Sequence, residues 1–175
     1  MTEVNIIRKG EDVKKFDAVK VFSNFIKKQN SAKDQKAAYF KELKKSAAKS
    51  PTGLAYKITQ PSSASSPKSG TVVMINYSGF LEDGTLFDTS DTEVAKQLGK
   101  YDEQRAMQGG YTKIAFNVGG QNQLIPGFVE GVGKLKLGEK AVLFIPANLG
   151  YGEQGYGAIP PNATLLFEIE LLEKQ

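Results

Sequence analysis

The chain has 175 residues, 40% of them hydrophobic and 24% charged, which suits a well-cored domain with an appendage and not a disordered or fibrous protein. It contains neither cysteine nor histidine, which excludes disulfides, thiolate zinc sites, cysteine nucleophiles and imidazole-based triads. The net charge of +4 is uneven, with 13 Lys/Arg against 6 Asp/Glu in residues 1–50 and 10 against 13 in residues 51–175.

Residues 3–8 read as a short strand ending at Lys9-Gly10. From Glu11 to about Gln29, Val13, Phe16, Val19, Phe22, Phe25 and Ile26 recur every three to four residues, which predicts an amphipathic helix. Asn30-Ser31 is expected to break it. A second helix is expected from about Ala32 to Ala48, burying Tyr39, Phe40 and Leu43 and stopped by Ser50-Pro51-Thr52-Gly53. The lysines of this basic segment read as a solvated helical face. A nucleic-acid role is disfavoured because the exposed aromatics that stack on single strands are not interleaved with them.

Beyond this segment the pattern turns to strands. Residues 54–60 alternate; 61–70, rich in Ser and Pro, form a connection. Val73, Ile75 and Tyr77 share one strand face, and further strands are expected over Lys113–Val118, Lys140–Ile145 and Thr164–Leu172. In the last of these, Leu165, Phe167, Ile169 and Leu171 face the core while Glu168 and Glu170 face away. A short helix is predicted over Pro126–Val132, with Pro at its start and Gly133 after it. Asp91–Thr112 is polar and looks inserted into a loop, with a helical turn around Val94–Leu98. The expected fold class is α+β, a curved antiparallel sheet wrapped around one short helix and preceded by a helical N-terminal segment. The expected division is a basic segment over 1–51 and a domain over 52–175. No apolar run approaches the roughly 18 residues of a membrane span. Met1 is not followed by a charged and then apolar leader. That predicts a cytoplasmic protein if the chain is whole, and a periplasmic or envelope one if a leader has been removed.

Phosphate loops fail on their chemistry. Gly133 to Gly138 has the spacing of a Walker loop but continues Glu139-Lys140, so the ammonium and the metal-binding hydroxyl are misplaced. Gly131-Val132-Gly133 lacks the third glycine of a dinucleotide fingerprint. The paired carboxylates Glu82-Asp83 precede Gly84 and read as a hairpin turn.

Four motifs in order carry the information. Tyr77 to Ser90 forms a strand, a turn at Asp83-Gly84 and a return bearing Phe87-Asp88. Leu124-Ile125-Pro126-Gly127-Phe128 follows, then Leu149-Gly150-Tyr151-Gly152, then Ala158-Ile159-Pro160-Pro161. Together they resemble the FKBP family of peptidyl-prolyl cis/trans isomerases over about 70% of the chain. The resemblance implies a rotamase that assists protein folding, needs no cofactor or metal, and acts on proline-containing polypeptides. It also implies an apolar pocket that takes macrolide inhibitors. On the matching positions, Tyr77, Phe87, Asp88 and Tyr151 would be catalytic, and Leu124, Ile125, Phe128, Ile159, Phe167 and Ile114 would bind substrate. The Ile125 N–H and the Tyr151 hydroxyl would donate to the ligand.

Departures from the family pattern bear more on inhibitor affinity than on activity. Phe128 stands where the pocket floor is commonly Trp, Ile114 where an aromatic is frequent, and Tyr156 near a position that is often His. The loop from Tyr151 to Ile159 is too short for the inserted domain of the SlyD-like branch. The N-terminal segment is similar in kind to the helical extension of the Mip-like branch. It is too short for the long connecting helix of that branch, which favours a monomer over a dimer. Val4 to Gly10 with Phe16 is also similar to the closing strand of some bacterial cyclophilin domains, as in a cyclophilin–FKBP fusion. The rival to an isomerase is a non-enzymatic module that grips proline peptides on the same fold.

Overall fold

The computed structural model describes residues 18–173. The strand expected over 3–8, the first turns of the N-terminal helix and the cyclophilin-like stretch lie outside the described residues. Helix α1 covers Ala18–Lys45 without interruption. Asn30-Ser31 does not break it, because neither residue removes a backbone donor or forces a positive φ, as Pro or Gly would. Here Ser31 instead accepts a hydrogen bond from Gln35 Nε2 one turn on, at 3.3 Å. The expected apolar stripe also stays uncovered in the described residues: Val19 is 79% and Phe22 66% exposed, while Phe40 is 1%. Among the described residues, no helix is long and apolar enough to cross a membrane.

The helix ends earlier than expected. Ala48, assigned to it by pattern, instead opens strand β1 (Ala48–Lys49), which pairs with β2 (Ala55–Gln60). Ser50-Pro51-Thr52-Gly53 is therefore a hairpin turn, closed by Gly53 N–H on Ser50 O and Ser50 N–H on Leu54 O. Strands β3 (Val72–Leu81), β4 (Leu86–Thr89), β5 (Ile114–Asn117), β6 (Lys140–Ile145) and β7 (Leu165–Glu173) complete an antiparallel sheet. Its order is β1-β2-β6-β7-β3-β4, with β5 also on β3. The inserted segment holds two short helices where one turn was expected, α2 (Thr92–Gln97) and α3 (Glu103–Met107). Helix α4 (Pro126–Val132) has the bounds that the proline and glycine predict.

Strand alternation sorts the sheet's two faces. Ala141, Leu143 and Ile145 of β6 join Phe167, Ile169 and Leu171 of β7 against Phe128 and Val132 of α4. Val142, Phe144 and Leu166 point the other way and meet Phe40 of α1, with Val94 and Leu98 of the insertion at the margin. The sheet is thus covered on both faces, and α1 supplies the second cover. Charged residues adapt to it. Lys36 of α1 pairs with Glu168 of β7 at 2.8 Å, and Lys140 pairs with Glu170 at 3.4 Å.

Candidate functional site

Strand β3 pairs with β7 along one whole edge. Its other edge is shared: β5 takes Val72–Ile75 and β4 takes Ser78–Phe80. Tyr77 falls at the gap between these two partners. Its N–H donates to Ser90 Oγ at 2.9 Å, and its carbonyl accepts from Ser90 N–H at 3.0 Å. A serine side chain thereby closes the ladder where no strand does, which satisfies backbone groups that would be costly to leave unpaired. Two residues on, Gly79 has no side chain because there is no room for one. A Cβ there would lie 2.6 Å from Phe87 Cζ and 2.9 Å from Phe167 Cε1. The Phe87 and Phe167 rings can consequently meet edge to face, with centroids 5.5 Å apart and planes at 85°.

This backbone gathers the expected residues around one cavity of about 320 Å³. Tyr77 comes from β3, Phe87 and Asp88 from β4, Ile114 from β5, and Phe167 from β7. Leu124 and Ile125 lead into α4, Phe128 sits on its first turn, and Tyr151 follows the short helical turn Ala147–Leu149. Phe128 packs edge to face on Phe167 at 5.1 Å and on Tyr77 at 6.4 Å. Ile159 is not on the cavity lining. It is buried in the adjoining core, where its backbone N–H and carbonyl both bond to Tyr156. Gln123 lines the cavity although no motif singled it out.

The polar wall is a small network. Tyr77 Oη donates to Asp88 Oδ2 at 2.6 Å, and Asp88 Oδ1 accepts from Thr89 N–H at 2.9 Å. Arg105 Nη2 lies 2.8 Å from the same Oδ1. Burial, reinforced by the bond to the Asp88 carboxylate, raises the Tyr77 phenol well above its ordinary range. Burial also raises Tyr151, with smaller contributions from Tyr156 and Asp88.

Arg105 was missed by the sequence reading, yet the insertion is built to hold it. Its Nε donates to Gly110 O at 2.9 Å and its Nη2 to Thr89 O at 3.0 Å. Its guanidinium lies 4.6 Å from the centre of the Tyr111 ring. Asp102 caps α3 by accepting the Arg105 N–H at 2.8 Å. A signal was present: Arg8 and Arg105 are the only arginines among 23 cationic residues. A planar fork is the usual choice where a carboxylate must be oriented.

The floor of the cavity is the start of α4. Ile125 is its N-cap residue in extended conformation, and among the described residues its N–H meets no acceptor. The Tyr151 hydroxyl is likewise without a partner there. Glu130 anchors this helix from outside by accepting from Ser50 Oγ and from Thr52 Oγ1, the latter at 2.7 Å. Among the described residues, no acidic cluster could hold a metal ion.

The model of the FKBP-type peptidyl-prolyl cis-trans isomerase family matches residues 63–172. The chain is 36% identical over 124 residues to FkpA of Escherichia coli (strain K12), named an FKBP-type peptidyl-prolyl cis-trans isomerase. That match covers 71% of this chain but only 38% of FkpA. Against FK506-binding protein 1 of Yarrowia lipolytica it is 42% identical over 122 residues, covering 69% of this chain and 96% of that one. The crystal structure of FkpA from Escherichia coli gives a TM-score of 0.55 at 28% identity, covering 95% of this chain and 73% of that one. This structural match takes in more of the chain than residues 52–175 contain. The chain therefore belongs to the FKBP-type peptidyl-prolyl cis-trans isomerase family.

Proposed function

We propose that this chain accelerates the cis/trans interconversion of X-Pro bonds in polypeptides and so assists their folding. Residues 52–175 would carry the activity and residues 1–51 would serve as an appendage. The observation that carries the reading is the convergence of Tyr77, Phe87, Phe128, Tyr151 and Phe167 around one cavity with a single carboxylate, Asp88, on its wall.

The chemistry suits such a cavity. Rotation about an amide meets a barrier of about 18–20 kcal/mol because C–N double-bond character must be lost. The planar amide is polar and well solvated by water, and the twisted form has a less polar carbonyl. Transfer into a cavity walled by phenylalanine and tyrosine destabilises the planar form more than the twisted one, which lowers the barrier. The prolyl ring fits against Phe128 and Phe167 while the preceding carbonyl turns past Asp88. The unpartnered Ile125 N–H and the Tyr151 hydroxyl are placed to hold the peptide's other carbonyls. No bond breaks and no proton moves, so a chain without histidine or cysteine lacks nothing that the reaction needs.

The test is an exchange assay by NMR, or a protease-coupled assay, on a short X-Pro peptide. Wild type should accelerate exchange, and Asp88→Val and Phe87→Tyr should lose most of the acceleration while keeping the melting temperature. Full activity in both variants would remove these residues from the site. Binding without acceleration in wild type would make the domain a proline-peptide gripping module.

A further inference from the structure

Helix α1 covers the face of the sheet that looks away from the cavity, yet it touches both chain segments that supply the cavity's ion pair. The first is the β3–β4 turn. Its residues Glu82 and Asp83 are exposed, as a hairpin tip usually is, but Gly84 is buried. It is buried against helix backbone: a Cβ there would collide with the Lys33 carbonyl and lie 3.0 Å from Ala37 N. Two ion pairs flank this close approach, Lys33 with Asp83 at 2.7 Å and Lys44 with Glu82 at 2.9 Å. All four side chains are at least 40% exposed, so the pairs add little strength and the contact at Gly84 sets the fit.

The second segment is the insertion. Gly99 follows α2, and the Gln29 side-chain amide of α1 occupies the place where a Cβ would stand. Gln29 and Lys33 lie one helical turn apart and are therefore neighbours on one face of α1. From these contacts each segment runs on to the cavity. Beyond Gly84, β4 presents Asp88; beyond Gly99, α3 presents Arg105; and the two meet at 2.8 Å. Hairpin, insertion and helix thus close into a ring, with the Asp88–Arg105 pair at one junction and the Gln29–Lys33 face at the other. A helical turn is held rigid by its backbone hydrogen bonds, whereas the geometry of a partly exposed ion pair yields easily.

From this geometry we propose that α1 is a brace that fixes how the two segments stand toward each other, and that Gln29 and Gly84 are positioning residues for the isomerase reaction. The inference rests on the isomerase reading of the cavity. Neither residue lines the cavity, and both act through the Asp88–Arg105 pair. Arg105 engages Asp88 Oδ1 and leaves Oδ2 to the Tyr77 hydroxyl. A displaced insertion or hairpin therefore misaligns the carboxylate past which the peptide carbonyl turns. Shortening Gln29 lets the loop at Gly99 settle toward α1, and adding a methyl group at Gly84 pushes the hairpin away from it.

The experiment measures kcat/KM on a short X-Pro peptide for wild type, Gln29→Ala, Gly84→Ala and Arg105→Ala, and for each of the first two changes combined with the third. All are compared at a temperature where CD shows the variant folded. Gln29→Ala and Gly84→Ala should each lower kcat/KM by about two- to fivefold, no more than Arg105→Ala does, and should cost almost nothing further once Arg105 is gone. The arginine Nε–H region of the heteronuclear NMR spectrum holds only Arg8 and Arg105. The Arg105 signal, set by its bond to Gly110 O, should shift in both variants. Gln29→Ala only removes atoms from a partly exposed side chain, so it carries the test alone if Gly84→Ala does not fold. Losses that persist unchanged in the Arg105→Ala background, no loss at all, or an unmoved Arg105 signal would overturn the proposal. If wild type turns over no peptide, the isomerase reading fails by itself. The Arg105 signal then still decides whether α1 braces the pair: a shift supports it, and an unmoved signal overturns it.

Discussion

Arg105 and Asp88 are joined at 2.8 Å, although one lies on an inserted helix and the other on a strand of the central sheet. The pair is about one-third exposed on each side, 36% and 38%. Its strength therefore falls well short of a buried ion pair, and about 1 kcal/mol is a fair scale. What it adds is orientation. With Oδ1 engaged by Arg105 and Thr89, Oδ2 is left to receive the Tyr77 hydroxyl. Arg105→Ala should lower the melting temperature by about 2–4 °C, the equivalent of that 1 kcal/mol, and should lower kcat/KM by roughly fivefold through the loss of Asp88 orientation. Arg105→Lys, which keeps the charge but not the fork, should fall between. Wild-type kcat/KM in Arg105→Ala would mean that Asp88 needs no partner.

Gly79 sets how closely Phe87 and Phe167 approach each other. Gly79→Ala forces a methyl group to within 2.6 Å of one ring and 2.9 Å of the other, and both rings belong to the cavity wall. Overpacking of this kind costs about 1–3 kcal/mol. The urea midpoint should fall accordingly, and isomerase activity should fall with it even at temperatures where the variant is fully folded. A variant as stable and as active as wild type would show that the rings have slack.

Helix α1 is held to the sheet chiefly through Phe40, which is 1% exposed and meets Phe80 at a centroid distance of 5.1 Å. Phe40→Ala should cost about 3–5 kcal/mol if α1 unfolds together with the sheet. Chemical denaturation followed by CD reads this directly. A loss below about 1 kcal/mol would mean that the helix comes off separately, leaving the sheet folded.

The activity should be insensitive to pH. The chain has no histidine or cysteine, and burial raises both Tyr77 and Tyr151 above the ordinary phenol value of 10.0. A raised phenol stays protonated until the solution is more alkaline than its ordinary value, so neither hydroxyl is lost near neutrality. The profile of kcat/KM should be flat from about pH 6 to about pH 9. A limb inside that window, on a peptide that does not itself titrate there, would reveal a proton-transfer step and contradict catalysis by desolvation.

The residues themselves determine a good deal of this protein. Alternation in β3 and β7 marks which side chains face the core, whereas β6 is an unbroken apolar run buried on both faces. Pro126 and Gly133 delimit α4, and Asp83-Gly84 makes the turn that returns Phe87 and Asp88 to Tyr77. These are local properties, set by a few neighbouring residues and by the period of the backbone, so they survive being read without a partner. Nine of the ten expected site residues meet at one cavity for the same reason: each motif is local, and the antiparallel pairing of β3 brings their ends together.

Tertiary structure decided the rest. Periodicity shows that a helix has an apolar face but not which part of that face will be covered. Phe22 and Phe25 looked as buried as Phe40, and only Phe40 reaches the sheet. The break expected at Asn30-Ser31 was a weak local preference, and the helix runs on through it because neither residue blocks the next backbone hydrogen bond. Arg105 shows the limit most clearly. Its partner lies across a loop with its own caps and its own aromatic support, and no spacing rule connects the two. Only the folded path of the insertion brings the guanidinium to the carboxylate, because an ion pair depends on distance in space and leaves no period in the sequence.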